Sequence, residues 1–212
     1  KLREFYDRGV RMLTLTWNFP NEIGFPNFAI SGDGKPDRTV PNTKDGLTEF
    51  GFLFLEEMER LGMIPDVSHL SDAGFDDVWE CTKKPFVASH SNARAVCPSL
   101  RNLTDDRVRR LAERGGCMGL NYYDKFLVDG GSKDPEVLWE ALIRQARHIT
   151  DVGGTEILGL GSDFDGIPTN PALPGAEAMP VLWDRLKTAG FTEHQLDGIF
   201  WGNVMRVYRD AL

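Results

Sequence analysis

The sequence of 212 residues is poor in cysteine and in basic residues, and it lacks a long apolar run. No stretch approaches eighteen uninterrupted apolar residues, which excludes a membrane-spanning helix in this part of the chain. Three cysteines are too few for a disulfide framework, and they favour buried thiols in a reducing compartment such as the cytoplasm. The 24 Lys and Arg stand against 32 Asp and Glu, giving a net charge of −8. This balance argues against a general nucleic-acid binder, which needs a basic face to neutralise phosphates.

The remaining composition is that of an ordinary globular protein, with 41% hydrophobic and 26% charged residues. No low-complexity tract or linker interrupts the chain, so we predict a single catalytic domain over residues 1–212. The sequence starts at Lys1 inside a predicted helix, without Met. This start leads us to expect further sequence before it.

Short apolar runs alternate with amphipathic helical segments, a pattern that predicts βα units and a parallel sheet. The predicted strands are Arg11–Thr16, Met63–Val67, Pro85–Ser89, Cys117–Tyr122 and Ile157–Ser162. The predicted helices are Leu2–Arg8, Gly46–Leu61, Ser71–Lys83, Thr104–Arg114, Pro135–Val152, Met179–Ala189 and Thr192–Leu212. The polar, proline-rich segment Asn18–Lys44 is predicted as a long loop, either a cover for a site or a simple insertion.

The residues that follow the strands distinguish two α/β folds. No predicted strand is followed by a G-x-G-x-x-G fingerprint or a P-loop, which argues against a doubly wound nucleotide-binding sheet. Polar and reactive residues follow several strands instead, as is typical of a (β/α)8 TIM barrel, whose active sites form at strand carboxyl ends. We therefore predict an α/β fold of the barrel type.

Two of the four histidines occupy matching positions at predicted strand ends. His69 follows the second strand and His90 follows the third, while Asp163 follows the fifth. Neutral imidazole and carboxylate groups suit Zn²⁺ and similar ions, so these three side chains are candidates for a metal site. The alternative is a hydrogen-bonded core or surface histidine, which is how we interpret His148 and His194.

The segment Gly161–Gly166 (GSDFDG) carries two carboxylates with different expected roles. Asp163 is nearer the strand and is expected to point into the barrel mouth, whereas Asp165 is expected to cap the turn. Arg101 precedes a predicted helix and is a candidate for two-pronged binding of a substrate carboxylate. The alternative for Arg101 is a solvated surface arginine, and Arg94 is a second candidate for the same contact.

Taken together, six segments resemble, in order, the membrane (renal) dipeptidase family, metallopeptidase family M19. They are GVRMLTLTWN, LGMIPDVSHLSDAGFDDV, PFVASHSNARAVCPSLRNLTDD, GGCMGLNYY, ILGLGSDFDGIP and WGNVMRVY. The resemblance runs from about residue 8 to the C-terminus. It implies a (β/α)8 barrel of the amidohydrolase type that hydrolyses dipeptides with two bridged zinc ions.

The resemblance also implies roles for individual residues. His69 and His90 match ligands of the second zinc ion, and Asp163 matches the aspartate that handles the proton of the attacking water. Arg101 matches the residue that binds the C-terminal carboxylate of the substrate. Asn18 and Tyr122, which also follow strands, complete the residues that we predict to bind the dipeptide.

This chain departs from the family pattern in two places. The His-x-Asp of strand one and the metal-bridging Glu of strand three have no counterpart, so the chain is expected to supply strands four to eight, with some zinc ligands outside it. Trp17 stands where the best-known members carry a histidine, which leaves Asn18 as a replacement or indicates another substrate. The alternatives are therefore a truncated or split non-catalytic half-barrel, or an amidohydrolase for another amide or lactam. The predicted partners are the dipeptide and a second copy in a homodimer.

Overall fold

The computed structural model describes all residues 1–212, which form two compact units. Unit 1 comprises Lys1–Ala88, Arg114–Gly116 and Arg206–Leu212, and unit 2 comprises Ser89–Glu113 and Cys117–Met205. None of the helices combines the length and the apolar character that a membrane-spanning segment requires.

Unit 1 is built on three parallel strands. Its elements are α1 (Leu2–Asp7), β1 (Met12–Thr14), β2 (Phe28–Ile30), β3 (Pro36–Pro41), α2 (Glu49–Leu61), β4 (Ile64–Asp66), α3 (Asp72–Cys81) and β5 (Val87–Ala88). Strand β4 lies between β1 and β5, with Thr14 opposite Asp66 and Asp66 opposite Val87. Their carboxyl ends therefore meet at one edge, as predicted for strands of successive βα units.

The prediction that Asn18–Lys44 is a loop is wrong in part, because the segment contains an antiparallel hairpin of β2 and β3. Its four prolines argued against strands, since proline cannot donate to a sheet ladder. In the structure, Pro36 and Pro41 occupy the first and last positions of β3 in a two-stranded sheet, where the missing donors are tolerated.

Unit 2 contains two parallel strands and most of the helices. Its elements are α4 (Asp105–Glu113), β6 (Cys117–Leu120), α5 (Asp124–Leu127), α6 (Pro135–Gly153), β7 (Leu158–Leu160), α7 (Met179–Thr188), α8 (Glu193–Asp197) and α9 (Asn203–Ala211), whose last residues belong to unit 1. Strands β6 and β7 run side by side with Leu120 opposite Leu160, so the residues after both strands emerge at the same edge.

The helix ends follow the capping signals in the sequence. Ser71 and Thr48 accept hydrogen bonds from the first turns of α3 and α2, and Asp134 does the same for α6. The predicted single helix Thr192–Leu212 is instead interrupted by a π-helical turn at Gly198–Gly202. Glycine is a poor helix former, and this turn carries one at each end.

The three cysteines are free thiols in the structure. Cys97 and Cys117 are buried, whereas Cys81 is exposed, so the buried-thiol interpretation holds for two of the three. Desolvation, followed by the nearby carboxylates of Asp77, Glu80 and Glu59, raises the pKa of the Cys81 thiol above its ordinary value. Cys81 is therefore an accessible thiol with little thiolate at neutral pH.

Gly119 lies on β6, where the backbones of Ser89 and Gly161 pass close to its Cα atom. A Cβ atom at this position would overlap the carbonyl oxygen of Ser89 and would lie 2.8 Å from the Cα of Gly161. We expect Gly119→Ala to destabilise the protein by about 1–3 kcal/mol or more, because backbone atoms cannot rotate away as a side chain can. Urea denaturation measures the loss, and Gly32→Ala is the matched control, since nothing lies within 4 Å of its added Cβ. Equal stability of the two variants would contradict the close approach.

Candidate metal and catalytic site

The turn after β4 is fixed by a buried carboxylate. Asp66, the last residue of β4, is only 1% exposed. Its Oδ2 accepts a hydrogen bond from the Thr14 hydroxyl at 2.6 Å, and its Oδ1 accepts one from the Ser68 backbone N–H at 3.0 Å. Two neighbouring strand ends are thereby tied together immediately before His69.

His69 has an unusual backbone conformation for a non-glycine residue, with φ of 70°. Its carbonyl oxygen accepts a hydrogen bond from the Asn27 backbone N–H at 2.9 Å, which ties the turn to the segment before β2. Its Nδ1 lies 3.0 Å from the Asn18 side-chain oxygen. An amide oxygen only accepts, so this contact is a hydrogen bond in the tautomer of His69 that carries its proton on Nδ1 and its lone pair on Nε2.

Two aromatic side chains lie beside His69 on the surface of unit 1. Trp17 is 62% exposed and Phe19 is 53% exposed, with ring centroids 5.9 Å apart. The Trp17 ring is also 6.4 Å from the His69 ring. Trp17 and Phe19 thus form an open aromatic surface next to a candidate metal ligand.

In unit 2, the strand ends bring Asn121 and Asp163 together. Asn121 follows β6 directly, Asp163 follows β7 by three residues, and the Nδ2 of Asn121 donates to the Oδ2 of Asp163 at 3.0 Å. Asp163 has a φ of 59°, and its carbonyl oxygen accepts from the Gly166 N–H in a tight turn. His69, Asp163 and Asp165 are the three non-glycine residues with positive φ, and two of them are predicted site residues. Such conformations cost energy and concentrate at functional sites.

Asp165 lies in the same turn as Asp163 but differs in its surroundings. It is exposed and has a φ of 66°, a conformation that aspartate tolerates better than most residues. The turn role predicted for Asp165 agrees with this position.

His90 and Arg101 are linked through a backbone carbonyl. The His90 Nδ1 lies 2.7 Å from the Ser89 hydroxyl, which can donate or accept, so either tautomer of His90 satisfies this bond. The Nη2 of Arg101 donates to the His90 carbonyl oxygen at 3.4 Å. Arg101 is only 5% exposed, so the alternative of a solvated surface arginine is wrong. A buried cation of this kind favours an anionic partner.

Tyr122 lies in the core of unit 2. Its side chain is fully buried, its hydroxyl is 3.8 Å from the sulfur of Met179, and its ring packs edge-on against Phe164. Burial raises the pKa of Tyr122 well above its ordinary value. The predicted contact of Tyr122 with the substrate stays a prediction.

A network of buried amides, which the sequence did not reveal, supports these strand-end residues. Asn92, Asn102 and Gln145 each donate to the carbonyl oxygen of Phe126, at 3.3, 3.0 and 3.4 Å. Asn92 also pairs with the backbone of Asn121. Sequence pattern gave no signal for this network, because its contacts join residues far apart in the chain.

The two histidines have the chemistry of metal ligands. Imidazole nitrogen suits Zn²⁺, and the Nδ1 of each ring engages an oxygen-bearing side chain, as is usual for ligating histidines that bind through Nε2. No group of three or more His, Cys, Asp or Glu side chains in the chain is arranged to hold a metal ion. The donor types therefore fit zinc, while the ligand assignments stay predictions.

The chain is similar over nearly its whole length to several known proteins. An uncharacterized protein from the pqqA 5′ region of Klebsiella pneumoniae is 34% identical over 210 residues, covering 99% of this chain and 75% of its own length. An uncharacterized dipeptidase of Schizosaccharomyces pombe is 37% identical over 210 residues, covering 98% of this chain and 48% of its own length.

Solved structures agree with the fold. A metallopeptidase from Rhodobacter sphaeroides, liganded with a phosphinate mimic of the dipeptide L-Ala-D-Ala, superposes with a TM-score of 0.90 and 33% identity. The match covers 100% of this chain and 58% of that one. An amidohydrolase from Pseudomonas aeruginosa, at 23% identity and a TM-score of 0.83, shares the fold over 99% of this chain. The predicted α/β fold with a parallel sheet is confirmed, and it is consistent with part of a (β/α) barrel.

The family follows from the whole chain rather than from one motif. The chain spans about half the length of the yeast relative and 58% of the bacterial metallopeptidase. The family model for membrane dipeptidase, peptidase family M19, matches residues 1–212. The chain therefore belongs to the membrane dipeptidase family, peptidase family M19.

Proposed function

We propose that the protein is a zinc-dependent dipeptidase that hydrolyses the peptide bond of dipeptides with water. The observation that carries the proposal is the strand-end carboxylate Asp163, fixed by the amide of Asn121, in a chain that matches an M19 family model from end to end. The proposal concerns the protein at the length of its relatives, with zinc ligands from outside these 212 residues as well as His69 and His90.

The proposed metal ligands are His69 and His90, through the nitrogen opposite Nδ1. When bound, zinc would supply Lewis acidity that polarises the scissile carbonyl and lowers the pKa of water, so that a stronger nucleophile forms near neutral pH. The Asn18 side-chain oxygen holds the proton of His69 on Nδ1, which keeps the Nε2 lone pair available in the neutral ring. The Ser89 hydroxyl fixes the orientation of the His90 ring, and it accepts the Nδ1 proton in the tautomer that leaves Nε2 free.

Asp163 is the proposed proton carrier. An amide resists hydrolysis because water is a poor nucleophile and the amide nitrogen is a poor leaving group. In our proposal the Asp163 carboxylate accepts a proton from the attacking water and delivers it to the departing amine. A side chain with a fixed orientation suits both transfers, and the hydrogen bond from Asn121 supports this assignment.

Arg101 is proposed to bind the C-terminal carboxylate of the dipeptide. Its guanidinium is buried, where an ion pair with a substrate carboxylate is stronger than at the surface. Recognition of a free carboxylate at a fixed distance from the reacting bond would select short substrates. Asn18 and Tyr122 remain proposed substrate contacts, and a homodimer remains the proposed assembly.

A second candidate function is favoured by Trp17. The open aromatic surface of Trp17 and Phe19 beside His69 differs from the histidine of the best-known family members. An aromatic surface adds apolar contact and removes a proton donor, which would favour another amide or lactam with an apolar substituent. A panel of Ala-Ala, Phe-Ala, Ala-Phe, an N-acyl amino acid and a lactam separates the two candidates.

Metal removal tests the proposed dipeptidase directly. We expect chelation with 1,10-phenanthroline followed by dialysis to abolish hydrolysis of dipeptides by the intact protein, and added Zn²⁺ to restore it. The measurement is amine release from each member of the panel, together with zinc per chain by mass spectrometry. Activity that survives the loss of zinc would overturn the zinc enzyme, and a zinc-loaded protein inactive on every substrate would favour the non-catalytic half-barrel.

A further inference from the structure

Asn121 presents its amide in a single orientation. Its Oδ1 accepts a hydrogen bond from the backbone N–H of Tyr123 at 2.7 Å, which assigns the oxygen and nitrogen of the side chain. The Nδ2 therefore faces the other way, 3.0 Å from the Asp163 Oδ2 and 3.5 Å from the His90 carbonyl oxygen. Both hydrogens of one amide thus point at residues to which we assign parts of the reaction.

The backbone of Asn121 is held as firmly as its side chain. The Asn121 N–H donates to the Asn92 Oδ1 at 2.9 Å, and the Asn92 Nδ2 donates to the Asn121 carbonyl oxygen at 3.0 Å. Both residues are fully buried. In a site of low dielectric constant, a satisfied network of this kind stays rigid, because each lost bond would leave a buried polar group without a partner.

We propose that Asn121 is a positioning residue for hydrolysis, acting through Asp163. Its amide donates to the Asp163 Oδ2 and thereby fixes the plane of the carboxylate that exchanges the proton. The inference rests on the proposed function, because it takes Asp163 as the proton carrier. The same amide holds the backbone of His90, which couples the position of the carboxylate to that of a proposed metal ligand.

Asp163 needs such a partner because of its position in the chain. It lies in a turn beyond the end of β7, and its backbone has a strained φ of 59°. Without the amide, the Asp163 carboxylate would be free to rotate about its side-chain torsions. Misplacement of a reacting group by about 1 Å can cost about 10²-fold in rate.

The test compares two isosteric replacements of buried asparagines. Asn121→Asp keeps the acceptor for Tyr123 but loses the donor to Asp163. Asn203→Asp likewise removes a buried amide donor, in this case to the carbonyls of Thr155 and Leu158, where no proposed site residue is contacted. Both variants lose stability, so a merely structural role of Asn121 predicts similar kinetics for the two.

We expect Asn121→Asp to lower kcat for the best dipeptide of the panel by about 10²-fold, with KM and zinc content within about 3-fold of wild type. Asn203→Asp is expected to keep kcat within about 3-fold. If Asn121→Asp does not fold, the pair Asn121→Ala and Asn203→Ala makes the same comparison without adding charge. A crystal structure of the Asn121 variant is expected to have the Asp163 carboxylate rotated.

The possible failures are distinguishable. Suppose that the wild type is active. If the Asn121 and Asn203 variants then lose kcat equally, or if the Asn121 variant changes only in KM, the proposed role of Asn121 is overturned and the dipeptidase function stands. A wild type that carries zinc but cleaves no dipeptide overturns the proposed function, and the role of Asn121 in it falls at the same time.

Discussion

We expect Asp163→Asn to lower kcat of the proposed dipeptidase by about 10³-fold, since general acid–base catalysis contributes about 10²–10⁴-fold. The replacement is isosteric, and its side-chain oxygen can still accept the hydrogen bond that Asn121 donates to Asp163. The fold and the turn are therefore expected to survive. What is lost is the carboxylate proposed to accept a proton from water and deliver it to the amine. Steady-state kinetics with the best dipeptide of the panel measure the effect, and KM is expected to change little.

Asp165→Asn is the matched control for this loss. Asp165 lies two residues further along the same turn, shares the positive φ and is exposed to solvent. The same chemical change at this position is expected to keep kcat within about 3-fold of wild type. A similar loss of kcat in both variants would mean that activity depends on negative charge in the turn and not on proton transfer by Asp163. A kcat of Asp163→Asn within 10-fold of wild type would contradict the assignment outright.

The strands and helices were predictable because local pattern and tertiary structure agree. Each of the five predicted strands contains an observed strand, from Met12–Thr14 to Leu158–Leu160, although all are shorter than predicted. Their ends were misjudged because sequence pattern marks apolar runs, whereas a strand ends where its backbone hydrogen bonds end. His69 and Asp163 lie in turns beyond these bonds, which agrees with their predicted positions after strands.

The parts that sequence analysis missed depend on contacts between distant residues. The β2–β3 hairpin forms despite its prolines because they occupy strand ends. The sequence left open whether Arg101 binds a carboxylate or lies in solvent, and the fold buries it. The bond between Asn121 and Asp163 joins residues 42 positions apart and exists only because β6 and β7 are parallel neighbours in register. No local pattern encodes that register, so the donor could not be identified before the fold was known.

The strand-end histidines give the second large prediction. The intact wild-type protein is expected to bind two zinc ions per chain, and His69→Ala and His90→Ala are each expected to bind one fewer. Removal of an imidazole ligand should lower the zinc affinity of its own site by more than about 100-fold. Loss of a hydrogen-bond partner of a ligand alone costs about 10–100-fold in affinity. Zinc content after dialysis, measured by mass spectrometry, and competition with a fluorescent chelator measure these losses without any assay of activity.

The other two histidines provide matched controls for metal binding. His148 lies inside α6 and pairs with Asp105 at 2.8 Å, while His194 lies in α8. Alanine at either position removes the same group from a helix and is expected to leave zinc content unchanged.

Asn18→Ala is expected to have an intermediate effect and to lower zinc affinity by about 10-fold. It removes the hydrogen-bond partner of the His69 Nδ1 but keeps the imidazole ligand. Normal zinc content in His69→Ala or His90→Ala would refute the ligand assignment, whatever the activity of the variant.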